Sequence, residues 1–431
     1  MPPRGPRRLG GWGRLAPVTR PITPEAWLER IGREIPANVV RGLGHVADVA
    51  ERLGINPPAP LSFVVAGTNG KGSTVAVLER LLLAHGHTVG STTSPHLKRF
   101  NERIRINGVA ADDAAIVEAL DTVDAGRGDV ELSYFEFAVL AALALHRRAN
   151  VAASVLEVGL GGRLDAVNIV DGDVTVIASI GLDHQAILGP DREAIGGEKA
   201  GILRPGTPLV FGGGDPPDSV LGRAAELEAP VYLAGRDFGH DSEGYWLTGK
   251  DDAVRRFDDV SCAAATANVA TALQAAALGM TDLRNPGWHE AAGLVHIPGR
   301  FETVRARGRQ WVLDVGHNAD GAAFLAGQLA ERFPNQPVHC VVGCLEDKDI
   351  RAIVAPLRKA TATLRFADTE TWRARSAASM REAARMPEAF AGSLDAAIEH
   401  ALASSAEDGV ILVCGSFDVV ERTRRLLSLP G

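Results

Sequence analysis

At 431 residues the chain is too long for one ordinary core and points to two domains or three. Hydrophobic residues make up 46% and charged residues 23%, a globular balance that excludes disorder, collagen and coiled coil, and the net charge of −8 argues against a nucleic-acid footprint. No apolar run reaches the roughly 18 residues that a membrane span needs.

Residues 1–24 carry Arg4, Arg7, Arg8, Arg14 and Arg20 ahead of any acidic residue and lack the apolar stretch of a signal peptide. They read as a disordered basic tail without catalytic function. A first domain is expected over 25–297. Leu61 to Ala66 reads as a strand, followed by a glycine loop and a helix from about Ser73 to His85. Phe137 to Leu145 has the length of a buried helix or strand. Ala153 to Val158 and Val174 to Ile180 read as buried strands, and Ala263 to Ala277 as a helix. His296-Ile297-Pro298-Gly299 interrupts the helical pattern and marks a boundary. A smaller α/β domain over 298–431 then shows strands at Trp311 to Val315, Val338 to Gly343, Thr363 to Phe366 and Val410 to Cys414. The fold class is therefore α/β, a P-loop-type doubly wound parallel sheet followed by a Rossmann-like domain. The four cysteines show no zinc-ligand spacing, and Cys340 and Cys344 are read as packing residues in a reduced, cytoplasmic protein.

Gly67-Thr68-Asn69-Gly70-Lys71-Gly72-Ser73 lies between a strand and a helix, where backbone N–H groups and the helix N-terminus favour phosphate. Lys71 can reach the β- and γ-phosphates as a point charge. The residue after Lys71 is Gly72 rather than the Ser or Thr that usually holds Mg²⁺, so another segment must supply an oxygen ligand. Gly72, together with the lack of an Asn-Lys-x-Asp segment, argues against a GTPase or kinase.

Other residues at strand ends carry chemistry by their type. Glu157, before Gly159, Gly161 and Gly162, suits a Mg²⁺ ligand or a salt bridge to Arg163. Ser94 offers the missing hydroxyl, although Ser before Pro is also ordinary turn chemistry. His184 follows Asp183 and is either structural or a ligand. Lys199, beside Glu198, has the pattern of a surface lysine, and Phe135 that of a core aromatic. Asn268 in an Ala-rich helix costs helix propensity, which implies a polar task.

The loop Gly67 to Gly72 resembles that of the folate branch of the Mur ligase superfamily. The likeness continues through Thr93-Ser94-Pro95-His96-Leu97, Phe100-Asn101-Glu102-Arg103-Ile104, Ser133-Tyr134-Phe135-Glu136 and Leu156 to Ala166. Gly181-Leu182-Asp183-His184, Gly197 to Ile202, Gly299-Arg300-Phe301-Glu302, Asp314 to Asn318 and Cys414-Gly415-Ser416-Phe417 complete it in family order. The resemblance implies an ATP-dependent ligase that forms an acyl phosphate from a substrate carboxylate and passes it to L-glutamate, with dihydropteroate and reduced folates as acceptors. It implies ATP and two Mg²⁺ ions. Thr68, Asn69, Gly70, Lys71, Gly72 and Ser73 would hold the phosphates, Asn268 the adenine, Arg300 a phosphate and Asp314 the ribose. Ser94, Glu157 and His184 would bind metal, and Lys199 would be carbamylated, which requires its neutral amine. Leu43, Ser133, Tyr134, Phe135, Glu136, Leu164, Asp165 and Ala166 would line the pteroate pocket, and His317 and Ser416 would handle glutamate or phosphate. Gly316 and Ala319 replace the more usual Ala and Pro around His317-Asn318. A peptidoglycan-precursor ligase fits the Tyr134-Phe135-Glu136 segment poorly, and a regulator without catalysis should have lost Lys71, Glu157, His184 or Lys199. The same reading expects small-molecule partners alone, no nucleic acid or membrane, and a monomer. Motifs on both sides of residue 298 imply that the domains close around ATP.

Overall fold

The computed structural model describes residues 22–34, 42–371, 373–407 and 409–429. All but the last three residues of the expected basic tail lie outside that range.

The first sheet has eight strands. From one edge to the other they are Val109–Ala110, Ile104–Ile106, Val89–Thr92, Ala153–Glu157, Leu61–Ala66, Val174–Ile177, Leu209–Phe211 and Val231–Leu233. The last six run parallel, and the Ile104–Ile106 and Val109–Ala110 strands add antiparallel at the edge. Leu61–Ala66 is central and buried along nearly its whole length, which explains why Ser62 is its one polar residue. Helices Lys71–Ala84 and Thr266–Gly279 join one face of the sheet in a shared core around Phe63, Leu78, Leu82 and Leu273. The opposite core contains Phe137 and Leu140 from helix Tyr134–Arg148, and Trp27 from helix Pro24–Glu34, whose ring meets Phe137 at 6.3 Å between centroids.

The second sheet has six strands, in the order Glu302–Ala306, Arg309–Asp314, Val410–Cys414, Val338–Val342, Thr363–Ala367 and Phe390–Gly392. The first two pair antiparallel and the rest parallel. Cys340, Cys344 and Cys414 are buried free thiols, in agreement with a packing role.

The sequence reading missed a three-stranded antiparallel sheet formed by Phe238–Asp241, Gly244–Thr248 and Val254–Phe257. Its inward positions are Phe238, Tyr245, Leu247 and Phe257, which pack on the core below helix Thr266–Gly279. The intervening Gly and Asp residues hid this short alternation. Several boundaries also moved, among them the helix expected over Ala263 to Ala277, which runs Thr266–Gly279, and the strand expected from Trp311, which begins at Arg309. The helix expected from Ser73 begins at Lys71, and the strand expected to reach Ile180 ends at Ile177. Residues 178–180 leave the ladder because they back the glycine loop: Thr68 N–H donates to the Ser179 carbonyl at 2.8 Å.

Candidate active site

The glycine loop leaves the carboxyl end of the central strand with Gly67 and Gly70 at φ of 152° and 87°. Gly70 has a second reason to be glycine, because any Cβ there would overlap the Asn268 side chain. Gly70 also caps helix Lys71–Ala84 without a side-chain hydrogen bond, which leaves first-turn N–H groups for an anion. Thr68 Oγ1 and the Gly181 backbone exchange hydrogen bonds at 3.1 Å, and Ser179 Oγ donates to the Asn69 carbonyl and accepts from its N–H, each at 3.0 Å. Ser73 is buried in the first turn of the helix.

Two lysines meet at one carbonyl. Lys71 Nζ donates to Gly67 O at 2.9 Å and to Thr68 O at 3.2 Å, while Lys199 Nζ donates to the same Gly67 O at 2.9 Å. Lys199 is only 3% exposed, so the surface-lysine alternative fails. Burial, reinforced by the Lys71 charge, pushes its pKa down to about 7. Burial lowers Lys71 as well, against the attraction of Glu157.

Beside the loop opens a cleft of about 320 Å³ whose walls include Gly72, Ser94 and Glu157 from the first half and Arg300 and Phe417 from the second. Glu157 is buried at the end of its strand and accepts the Ser94 backbone N–H at 2.9 Å. The alternative pairing with Arg163 is not made, because Arg163 pairs with Glu198 at 2.8 Å. Burial raises the Glu157 pKa, with Lys71 and the Ser94 amide opposing. Gly72 leaves the space beside the carboxylate open, since a Cβ there would already lie 3.4 Å from Oε2. Arg300 holds its guanidinium 5.6 Å from the Phe417 ring centroid.

Glu157 and the Ser94 hydroxyl are hard oxygen donors, and a carboxylate with cations nearby but no direct ion pair among the described residues fits a divalent cation. Among the described residues no group of three or more His, Cys, Asp and Glu assembles as a metal cage. That suits Mg²⁺, which is commonly held by one or two carboxylates with substrate phosphates completing its shell. The His184 ring instead faces Asp183, with Nε2 4.0 Å from the carboxylate, and burial lowers its pKa to about 4. His184 has φ of 51°, a left-handed conformation uncommon outside glycine and found often at functional sites.

Asp183 joins the halves. Lys348 Nζ donates to Oδ1 at 2.6 Å, Asn318 Nδ2 donates to Oδ2 at 3.1 Å, and His317 Nε2 lies 3.2 Å from Oδ2. Asn69 and Asn318 add a reciprocal amide pair at 3.1 and 3.0 Å. Burial alone would raise Asp183, but His317 and Lys348 outweigh it and hold the carboxyl well below the usual range. Asp314 accepts the N–H groups of Phe301 at 2.8 Å and Gly316 at 2.6 Å, which fixes the loop that carries Arg300.

The segments expected at pteroate divide by task. Ser133 and Glu136 form a capping box on helix Tyr134–Arg148, and Glu136 also bonds His45 at 2.9 Å. Tyr134 meets Phe100 edge-on, and Phe135 packs on Gly159 so closely that a Cβ there would collide with its ring. Asp165 accepts N–H groups from Leu160 at 2.9 Å and Val167 at 3.0 Å, and burial raises its pKa to about 6. Leu164 is exposed, Ala166 is buried, and Leu43 stands at the start of helix Gly44–Leu53. Ser416 caps the last helix, Phe417–Leu426, from a buried position. The sequence reading assigned nothing to Lys348 or Asn318 and no role to Asp183 itself. For Asp183 and Asn318 an available signal was a carboxylate or amide just beyond the carboxyl end of a parallel strand.

A glycine loop built for phosphates, sharing its cleft with a second α/β half, defines an ATP-dependent ligase of the Mur type, and residues 299–417 match the Mur ligase, glutamate ligase domain family. The chain is 36% identical to the Escherichia coli dihydrofolate synthase/folylpolyglutamate synthase over 94% of its own length and 97% of the relative. It is 31% identical to the Bacillus subtilis protein of that name, over 90% and 95%. The fold matches E. coli FolC in complex with DHPP and ADP at a TM-score of 0.88, with 34% identity and coverage of 94% and 97%. It also matches, at 0.88 with 38% identity over 94% and 98%, a Yersinia pestis bifunctional folylpolyglutamate synthase/dihydrofolate synthase complexed with AMPPNP and Mn ion. The chain belongs to the dihydrofolate synthase/folylpolyglutamate synthase family. Among the described residues no helix is long and apolar enough to cross a membrane.

Proposed function

We propose that this protein adds L-glutamate to dihydropteroate, forming dihydrofolate, and to reduced folates, forming polyglutamates, with ATP as the phosphoryl donor. The observation that carries the reading is the cleft in which Glu157, Ser94 and Gly72 face Arg300 across the two halves.

In this reading the loop N–H groups and Lys71 hold the ATP phosphates, Asn268 meets the adenine and Asp314 the ribose. The substrate carboxylate attacks the γ-phosphorus, the bond to the β-phosphate oxygen breaks, and ADP leaves. Two anions approach in that step, and Lys71 and Arg300 reduce their repulsion. The amine of glutamate then attacks the acyl carbon, and phosphate departs with the former carboxylate oxygen. Ser94 and Glu157 are the residues that would hold one Mg²⁺, with His184 and a carbamylated Lys199 beside a second, and bound Mg²⁺ supplies charge neutralisation at the phosphates. A pKa near 7 gives Lys199 a substantial neutral fraction, so its amine can add to CO₂ and lose a proton. Phe135, Leu164 and Asp165 would meet the pteroate, along with Leu43, Tyr134 and Ala166, and His317 and Ser416 the glutamate. Ser133 and Glu136 would serve that pocket by fixing the start of their helix.

The divisions at 25–297 and 298–431 and a monomeric, cytoplasmic enzyme complete the proposal. The Asp183 node supports closure of the two halves around substrate, which closes water out of the acyl phosphate. The test is ADP release with Mg²⁺-ATP, L-glutamate and bicarbonate. Release that needs both glutamate and dihydropteroate supports the synthase, and turnover of a tetrahydrofolate extends it to polyglutamates. No release from folded protein that binds ATP overturns the assignment.

A further inference from the structure

Away from the cleft, the second half buries a cation without a counter-anion. Arg365 lies on strand Thr363–Ala367, is 2% exposed and pairs with no carboxylate among the described residues. Its Nε donates to His400 Nδ1 at 2.8 Å, one terminal nitrogen donates to Thr363 Oγ1 at 2.6 Å and the other to the His400 carbonyl at 3.4 Å. A guanidinium carries five N–H donors, so two are left. Because His400 Nδ1 accepts, a neutral His400 carries its proton on Nε2, on the other side of the ring. The ring is held by stacking on Phe390, 4.6 Å away between centroids. Thr363 Oγ1 also bonds His339 Nδ1 at 2.9 Å, so a second imidazole stands in the same network. Thr363, Arg365, Phe390 and His400 border a cavity of about 430 Å³ that the exposed Arg358 and Glu388 also line.

Removing a guanidinium from water without an anion is costly, and proteins that keep one buried normally pair it. Glu388 is the acidic residue on the cavity wall, and it forms no ion pair with Arg365 among the described contacts. The cavity is larger than a phosphate ion, and planar donors of arginine match an oxyanion well.

We infer that this cavity is a binding site for a small oxyanion, either free phosphate or the phosphate group of a metabolite, anchored on Arg365 with His400 and Arg358 at its mouth. The site is separate from the cleft and independent of which acceptor the enzyme glutamylates. Binding is measured by calorimetry with inorganic phosphate and with ribose 5-phosphate, on the full chain with its nucleotide site saturated by Mg²⁺ and an ATP analogue. Wild type should bind one equivalent of a probe outside the nucleotide site, and Arg365→Met should weaken that binding roughly tenfold or more while ADP release under saturating substrates stays unchanged. Equal affinity for both probes assigns the site to free phosphate, and tighter binding of the sugar phosphate assigns it to a metabolite. Should Arg365→Met not fold, Arg358→Ala, an exposed change, should lower the affinity in the same direction. No binding to wild type, or equal binding by the wild type and the folded variant, overturns the inference.

Discussion

Glu157 ends one strand of the first sheet and Asp183 lies beyond the end of another, but their surroundings differ. Glu157 faces an open cleft, accepts a backbone amide and has its pKa raised by burial. Asp183 gathers Lys348, His317 and Asn318 from the other half and is held ionised. A carboxylate left short of positive charge in a substrate cleft is prepared for an incoming cation. A carboxylate already surrounded by donors serves to hold two bodies together. Glu157 is the more deeply buried of the two, yet partner supply is what separates the roles.

The largest effect should come from Glu157→Gln, which removes the cleft charge at constant shape. ADP release should fall by roughly 10²–10³-fold, while the melting temperature changes little, because the desolvation cost of the buried carboxylate goes together with its attraction to Lys71. A fall in melting temperature without loss of turnover would erase the contrast with Asp183. Lys348→Met attacks the other side: Asp183 keeps His317 and Asn318 but loses its lysine, which should cost roughly 1–3 kcal/mol of stability, seen in denaturant melts. X-ray scattering with ATP and acceptor should then show a larger radius of gyration than the wild type, with KM affected more than kcat. An unchanged radius would deny Asp183 its joining role.

Smaller effects sharpen the account of the loop. Gly70→Ala introduces a Cβ at positive φ against Asn268 and should weaken binding of an ATP analogue roughly tenfold by calorimetry. Adding Asn268→Ala should recover less than the full loss if Asn268 itself touches the nucleotide. Complete recovery would reduce Asn268 to a steric neighbour. The smallest change is Ser133→Ala, which should cost about 1 kcal/mol of stability through loss of the capping box and leave KM for dihydropteroate unaltered. A raised KM with unchanged stability would make Ser133 a direct substrate contact.

The first sheet was legible because its central strands are short, largely apolar runs and its glycine loop lies in plain register with Lys71. Strand Val410–Cys414 could be read to the residue for the same reason. The small sheet from Phe238 to Phe257 was not, since its alternation is short and interrupted by Gly and Asp. Among site residues, Lys71 and Glu157 announced themselves by position at strand ends. Lys199 looked like a surface lysine opposite Glu198, and only the fold reveals that Arg163 takes Glu198 while Lys199 turns inward to Gly67. Lys348 was overlooked because its partner is 165 positions away in sequence, and nothing local to an acid-flanked lysine indicates a distant aspartate.

The most direct measurement follows the oxygen of the acceptor. Dihydropteroate labelled with ¹⁸O in its carboxylate is turned over with ATP and glutamate, and the phosphate released is analysed by mass spectrometry. Ligation through an acyl phosphate in the cleft should place one labelled oxygen in each phosphate, with ADP as the other product. Unlabelled phosphate, or AMP in place of ADP, would contradict it.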